Sequence, residues 1–430
     1  MSFMEEKIMS DIDWEKSNIC YIANEIVDIP DNINFQELRK KIEPWLTAVF
    51  QSEHLSLLLG TGLTTALCKM IKNPKDEIQA MNRLPFSEDF SCIVNHADVT
   101  AKALERGNAN IEDDIRVANE LLKGLEIQGK TEEAEKLKKE LNENLSTFAN
   151  NVLQNESNVL NASNRDDIIS TLRQFLISFA SRTATRDRLH IFTTNYDRFI
   201  EYALDEAGIY TIDRFVGKIN PTMRMHKMEI DFHYNPPGIR GEPRYIEGVV
   251  RYTKIHGSFD WKEENGKIIR IPLPFGNGKE YKYDNPHDSL MIYPNSLKGI
   301  ETVYFPYSEL FRDFSSAICR PNSVLVTYGY GFGDSHINRI ILDMMNILST
   351  HLVIMSFDTA NGRIKNFIKK CNRSQITLLI GNNLGNIKNL VDFYLPKAAI
   401  DRISDRRTTV LEKRGENNDN STTISEDNKE

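Results

Sequence analysis

Cysteine is scarce and poorly placed for metal. The five, Cys20, Cys68, Cys92, Cys319 and Cys371, include no CxxC pair, and the closest two stand 24 positions apart. The paired thiolate spacing of a structural zinc site is missing, so no metal is expected, and the cysteines read as free thiols in a reducing compartment. Long apolar runs are missing too: no stretch reaches the roughly 18 residues of a membrane span. Residues 1–16 are polar and on balance acidic, without the basic, apolar, small-residue order of a secretory signal, so a cytoplasmic location is expected. Nor is there an excess of positive charge. Lys and Arg total 53 against 61 Asp and Glu, a net charge of −8, which argues against strong nucleic-acid binding by bulk charge. DNA contact is expected to be indirect or weak. No repeat recurs at a fixed period.

What is there suits a packed α/β core, with 40% hydrophobic and 27% charged residues over 430 positions. That length fits one large domain with insertions, or two domains. Residues 1–50 read as a helical or irregular lead-in, with a helix over Phe35–Phe50. His54–Leu59 is a short apolar run ending at Gly60-Thr61-Gly62, with a helix following over Thr64–Met70. Strand, glycine turn and helix together open a dinucleotide-binding unit. Between about 100 and 180, apolar positions recur at helical spacing from Ile111 to Leu125 and again from Ala134 to Phe148. This predicts an inserted helical hairpin, its second helix capped at Thr131. Strand-like runs return at Leu189–Thr193, Val249–Ile255, Val324–Tyr328, Leu352–Phe357 and Ile376–Ile380. Their alternation with helices predicts a Rossmann-like, doubly wound, mainly parallel sheet. A Pro-, Gly- and Met-containing stretch at about 211–248 reads as a second insertion or lid. The main domain is expected over 51–400, and residues 401–430 as a disordered tail.

Four short motifs could carry chemistry. Gly60-Thr61-Gly62 lets backbone approach a pyrophosphate at a helix N-terminus, or is an ordinary strand-to-helix turn. Thr193-Thr194-Asn195-Tyr196-Asp197 ends the strand from Leu189, where α/β folds bind ligands. Asn195 offers a donor and an acceptor to a water or a ribose hydroxyl, or it caps the helix expected over Arg198–Glu206. Lys254-Ile255-His256-Gly257-Ser258 sets a histidine at a strand end, suited to general-base work or to a structural role. Gly329 to Asn338 (GYGFGDSHIN) carries three alternating glycines between a strand and a helix, as a close approach to nucleotide requires.

The order and spacing of the four motifs over roughly residues 54–340 resemble the sirtuin-like family of bacterial antiphage defence. Its signatures look like GAGxS, TTNYD, KxHGS and GYGFGDxHIN. The first motif departs from that pattern, with Thr61 for alanine and Thr64 for serine. The resemblance implies a sirtuin-like fold and NAD as substrate. It makes Asn195 and His256 the catalytic pair, with Asp197 beside them. Nucleotide binding falls to Gly60, Thr61, Gly62, Thr64, Thr194, Gly257, Ser258, Gly329, Gly331, Asp334 and His336. Protein-deacylating sirtuins carry a small domain with four zinc cysteines, which these scattered cysteines cannot supply. An NAD hydrolase that depletes NAD on infection is therefore expected, releasing nicotinamide and ADP-ribose. A module sensing NAD or ADP-ribose, or a nuclease subunit of an ATPase complex, are the alternatives. The resemblance further implies a homo-oligomer partnered with a HerA-type hexameric ATPase, or an effector of a prokaryotic Argonaute.

Overall fold

The computed structural model describes residues 12–30, 34–72, 83–103, 108–182, 186–235, 244–276, 286, 290–292 and 305–397. The tail expected after 401 lies outside these residues, as does the start of the lead-in. In chain order, β1 (Asn18–Ile22), β2 (Glu25–Val27), α1 (Phe35–Phe50), β3 (His54–Leu59) and α2 (Thr61–Lys69) come first. Four helices follow: α3 (Ser91–Ala103), α4 (Ile111–Ile127), α5 (Thr131–Leu160) and α6 (Arg165–Ala180). Next are β4 (Leu189–Thr193), α7 (Phe199–Glu206), β5 (Tyr210–Ile212), β6 (Phe215–Val216), β7 (Thr222–Met223), β8 (His233–Tyr234) and β9 (Arg244–Tyr245). Then come β10 (Val249–Lys254), β11 (Gly257–Glu264), β12 (Lys267–Arg270) and β13 (Leu290–Ile292). The chain closes with α8 (Tyr307–Ile318), β14 (Ser323–Tyr328), α9 (Ser335–Met345), β15 (His351–Ser356), α10 (Arg363–Ile368) and β16 (Ile376–Gly381).

The main sheet has nine strands in the order β2-β1-β16-β15-β14-β3-β4-β10-β5. From β16 to β5 every pairing is parallel, and only β1 and β2 run antiparallel at one edge. The central strands read as continuous apolar runs because both faces are covered. Leu55, Leu57, Leu59, Val326 and Val353 enter the core beneath α1, α2, α6 and α7. Leu58, Leu325, Leu352 and Ile354 point the other way, under α8, α9 and α10. The fold is thus a Rossmann-like, doubly wound α/β sheet.

The helical insertion is larger than its hairpin. Helices α3, α4 and α5 share a core that includes Leu84, Phe90, Ile115, Leu122, Leu137 and Leu145 and reaches Tyr196 and Phe259 of the main fold, whereas α6 returns to the sheet through Leu172, Phe175 and Leu176. Thr131 is the first residue of α5 and not its cap, a place taken by Lys130. Asn110 caps α4 in a reciprocal capping box with Asp113.

One further reading needs correction. The lead-in is not merely helical or irregular: Asn18–Ile22 is a fully buried strand whose apolar side chains close the β16 edge. The stretch at 211–248, read as a second insertion or lid, connects β5 to β10 of the main sheet and carries strands of its own. It begins in β5 of the main sheet, and β6 and β7 join β11, β12 and β13 in a second, five-stranded sheet. No helix among the described residues is long and apolar enough to cross a membrane.

Candidate functional site

The strand register sets the site. Tyr328 pairs with Leu59, Leu59 with Thr193, and Thr193 with Lys254, so four neighbouring strands end on one line. Each of the four motifs begins or continues one step beyond it. The chain runs outward from β3 through β4 to β10 and later returns on the other side of β3 as β14. The junction of β3 and β14 is therefore the topological switch point, outside whose carboxyl ends α/β sheets bind ligands.

At that junction the glycines meet each other. Gly62 N donates to Gly329 O at 3.0 Å, and Gly60 N donates to Tyr328 O at 3.1 Å. A Cβ on Gly62 would lie 2.5 Å from Gly329 Cα, and one on Gly60 would lie 2.5 Å from Gly329 O. Gly329 itself has φ +62°, in the left-handed region. The immediate use of these three glycines is to let the β3 and β14 loops touch backbone to backbone. Helix α2 starts at Thr61, earlier than expected, with Gly60 in the capping position and no side-chain cap.

Asn195 stands two residues past the line on β4 and is 2% exposed. Its Nδ2 donates to Gly60 O at 3.0 Å and to Thr64 Oγ1 at 3.2 Å, and its backbone N–H donates to Thr193 Oγ1. Thr64 in turn donates to Asp197 Oδ2. The amide is thus locked, yet its Oδ1 is buried without a hydrogen-bond partner. An orphaned buried carbonyl costs about 1–3 kcal/mol unless a ligand or water satisfies it. Asn195 does not cap α7, which begins after Arg198. Burial raises the Asp197 pKa above the usual carboxylate range, against the pull of Lys254 and the Thr64 hydroxyl.

Lys254, 1% exposed, explains how this loop holds its shape. Its ammonium donates to the carbonyls of Tyr196 and Asp197 and pairs with Glu201 at 3.0 Å. Ser258, fully buried, donates to Tyr196 O at 3.4 Å. Lys254 and Ser258 both serve the loop of β4 from the neighbouring chain segment.

His256 also stands two residues past the line, on β10. Its Nδ1 meets Glu112 Oε1 at 3.0 Å and its Nε2 meets Asp334 Oδ2 at 2.9 Å. Burial alone would lower its pKa. The charge of Glu112 and the hydrogen bonds the ring donates to both carboxylates outweigh burial and raise it to about 10. Asp334 moves oppositely: burial would raise its pKa, but the bond from His256 holds it below the usual value. With an acceptor on each nitrogen, the ring is an imidazolium. Asp334 has a second duty, since its Oδ1 caps α9 by accepting from the N–H groups of His336 and Ile337. Its place is thus a helix cap and a partner of His256. Gly257, with φ +86°, turns the chain from β10 into the second sheet. Among the remaining motif residues, Thr61 and His336 are exposed and Thr194 and Gly331 half-buried.

Two acids that the motifs do not contain complete the site, and both come from the helical insertion. Glu112, in the first turn of α4, accepts from the Tyr196 hydroxyl at 2.9 Å as well as facing His256. Glu156, buried in α5, accepts from Arg198 N at 2.9 Å and from Arg198 Nη2 at 2.6 Å. Arg198 also donates to Leu273 O. Helices α4 and α5 are therefore fastened to the β4 loop at Tyr196 and Arg198, just after Asn195. The only sequence signals were an acid in a first helical turn, as the helix dipole favours, and an arginine directly after the motif. All five cysteines are free, and burial pushes the Cys20 and Cys68 thiols up to about 12. No group of three or more His, Cys, Asp or Glu among the described residues is arranged to hold a metal ion.

Residues 189–376 match the SIR2-like domain family. The match runs from β4 to the start of β16, taking in Asn195, His256 and the glycine-rich loop to Asp334. It begins after Gly60-Thr61-Gly62, which joins the site by geometry alone. No curated protein matches the chain significantly. A SIR2-like domain on a Rossmann-like sheet supports a sirtuin-like family and is compatible with NAD-dependent activity.

Proposed function

We propose that this protein hydrolyses NAD at the bond between nicotinamide and ribose. The observation that carries the reading is Asn195: a locked, buried amide whose free Oδ1 stands at the carboxyl end of β4 beside the switch point. That oxygen suits a ribose hydroxyl or the attacking water. In the reaction, the C1′–N1 bond breaks and its electron pair leaves with nicotinamide, which departs neutral. Positive charge develops on the ribose ring as in other glycoside cleavages. Water bonds to C1′ and gives up a proton, leaving ADP-ribose. Asn195 positions the nucleophile and the ribose, and Thr64 and Asp197 hold Asn195. His256 takes the proton once it is neutral.

As drawn by its two carboxylates, His256 is cationic and cannot act as a base. We therefore read the structure as a resting state in which the helical insertion, through Glu112, withholds the base. Withdrawal of α4 would return His256 toward its ordinary pKa and start turnover. Such gating suits an enzyme whose unchecked activity would deplete the cell of NAD. The resemblance of the four motifs extends the proposal to an antiphage-defence effector, active as a homo-oligomer with a HerA-type ATPase. The same caged histidine also favours a second reading, a module that binds NAD or ADP-ribose and signals without turnover.

Incubation of the purified chain with NAD, alone and with a co-expressed HerA-type ATPase, followed by chromatography, separates the two. Nicotinamide and ADP-ribose should appear, and Asn195→Ala or His256→Ala should lower their rate by more than about 100-fold. NAD that binds but survives in every condition favours the sensor. Near-full activity in both variants overturns the assignment of Asn195 and His256.

A further inference from the structure

Several arginines of this chain that are not fully exposed are matched with acids. Arg83, Arg188, Arg198, Arg214 and Arg270 each pair with a carboxylate. Between α9 and α10 the pattern fails. A groove of about 510 Å³ there is lined by Arg339, Arg363, Lys369 and Lys370, with no Asp or Glu in its wall. None of the four cations makes an ion pair with a described residue. Arg363 sits deepest. Its Nη2 would be 3.2 Å from a Cβ on Gly331 and its Nη1 3.7 Å from one on Gly333, so the absence of side chains there leaves its guanidinium room. Its Nε is buried and has no hydrogen-bond partner.

Four unpaired cations on one groove, in a chain of net charge −8, repel each other unless an anion joins them. We propose that this groove binds a nucleotide carrying two or more phosphates. The volume is that of a small-molecule site. Arg363 opens α10 and Lys369 follows it, so the positive charges are spread over roughly 9 Å at 1.5 Å rise per residue. That span suits an oligophosphate chain and its sugar. A nucleic acid would need a longer basic track and would approach against the negative charge of the whole molecule. The wall of the groove contains none of Thr64, Asn195, Asp197 or His256. Yet Phe332, in its wall, belongs to the loop that ends at Asp334 and so at His256. Occupancy of the groove can therefore reach the caged histidine through two residues.

The test is titration calorimetry of the full chain with ATP, at fixed ionic strength, which does not depend on NAD turnover. ATP is expected to bind one site per chain. The variant Arg339→Gln/Lys369→Gln/Lys370→Gln, whose three side chains are exposed and outside the core, should bind at least tenfold more weakly. Arg363→Gln should weaken binding as much, whereas Asn195→Ala should change it less than twofold. Absence of ATP binding to the wild type overturns the proposal. So does binding that the groove variants leave intact and Asn195→Ala removes, since ATP would then occupy the cleft. A duplex DNA that binds through these lysines where ATP does not would overturn it in favour of a nucleic-acid surface.

Discussion

Glu112 and Asp334 divide the two nitrogens of His256 between an insertion and the main fold, and the two contacts are not equivalent. Asp334 is fixed as the cap of α9, whereas Glu112 rides on α4, which packs mainly with α3 and α5 and meets the main fold at Tyr196 and Phe259. Replacing Glu112 with Gln keeps an acceptor for Tyr196 and for Nδ1 but removes the negative charge that does most to raise the imidazole pKa. The His256 pKa should then fall from about 10 toward its ordinary 6.5. Glu112→Gln is expected to raise NAD turnover at pH 7.5 and to move the acid limb of kcat/KM downward by more than one pH unit. A limb that stays in place, measured over pH 6 to 10, would show that Glu112 does not hold the proton. Asn195 answers to a different test. Its side chain does not titrate, so Asn195→Ala should lower kcat at every pH without shifting the profile.

At the level of elements, six of the seven parallel strands were readable, all but the short β5, because burial on both faces leaves runs of Val, Ile and Leu bounded by glycine and polar turns. Helices α4 and α5 were readable from their period. Strand β1 was not: five residues in a polar stretch, NICYI, pair antiparallel with β16, and nothing local marks an edge strand that tertiary contact creates. Glu156 was equally hidden. In NVLQNESNVL it looks like a surface acid, and only Arg198, 42 positions away, makes it a core residue. That pair ties α5 to the β4 loop beside the edge-on contact of Phe148 with Tyr196. Its side chains are 8% and 1% exposed, and removing one partner of a buried pair costs about 3–5 kcal/mol. Glu156→Gln should lower the denaturation midpoint accordingly, and Arg198→Met added to it should restore part of the loss, because no charge is then left buried alone. Equal loss in the single and double variants would show that the pair contributes by shape alone. The glycine contact makes a second test of an element boundary. Gly62→Ala drives a methyl into Gly329 backbone and should destabilise the fold by about 1–3 kcal/mol, against little effect from Gly124→Ala, whose Cβ meets nothing within 4 Å.

For the whole molecule, the insertion between β3 and β4 separates two paired strands by well over a hundred residues, and the His256 cluster is where that excursion is joined to β10 and β14. A cluster holding a buried imidazolium makes the fold sensitive to pH in a defined sense. The His256 pKa is about 10 in the folded chain against an ordinary 6.5. The stabilisation it gives is complete below about pH 6.5 and is lost as pH rises through the folded value. Asp334, whose pKa is lowered from 3.8, acts at the other end. Its share is present above about pH 4 and is lost as pH falls through its lowered value. The cluster thus supports the fold most between about pH 4 and 6.5. Lysines, tyrosines and thiols also titrate near pH 10, so the wild-type curve alone would mix their effects. The difference between wild type and His256→Gln isolates the cluster. Urea midpoints should differ most near pH 6 and converge by pH 10. A difference that is the same at both would mean that His256 is neutral in the folded chain, that Glu112 does not cage it, and that the base is available without movement of the insertion.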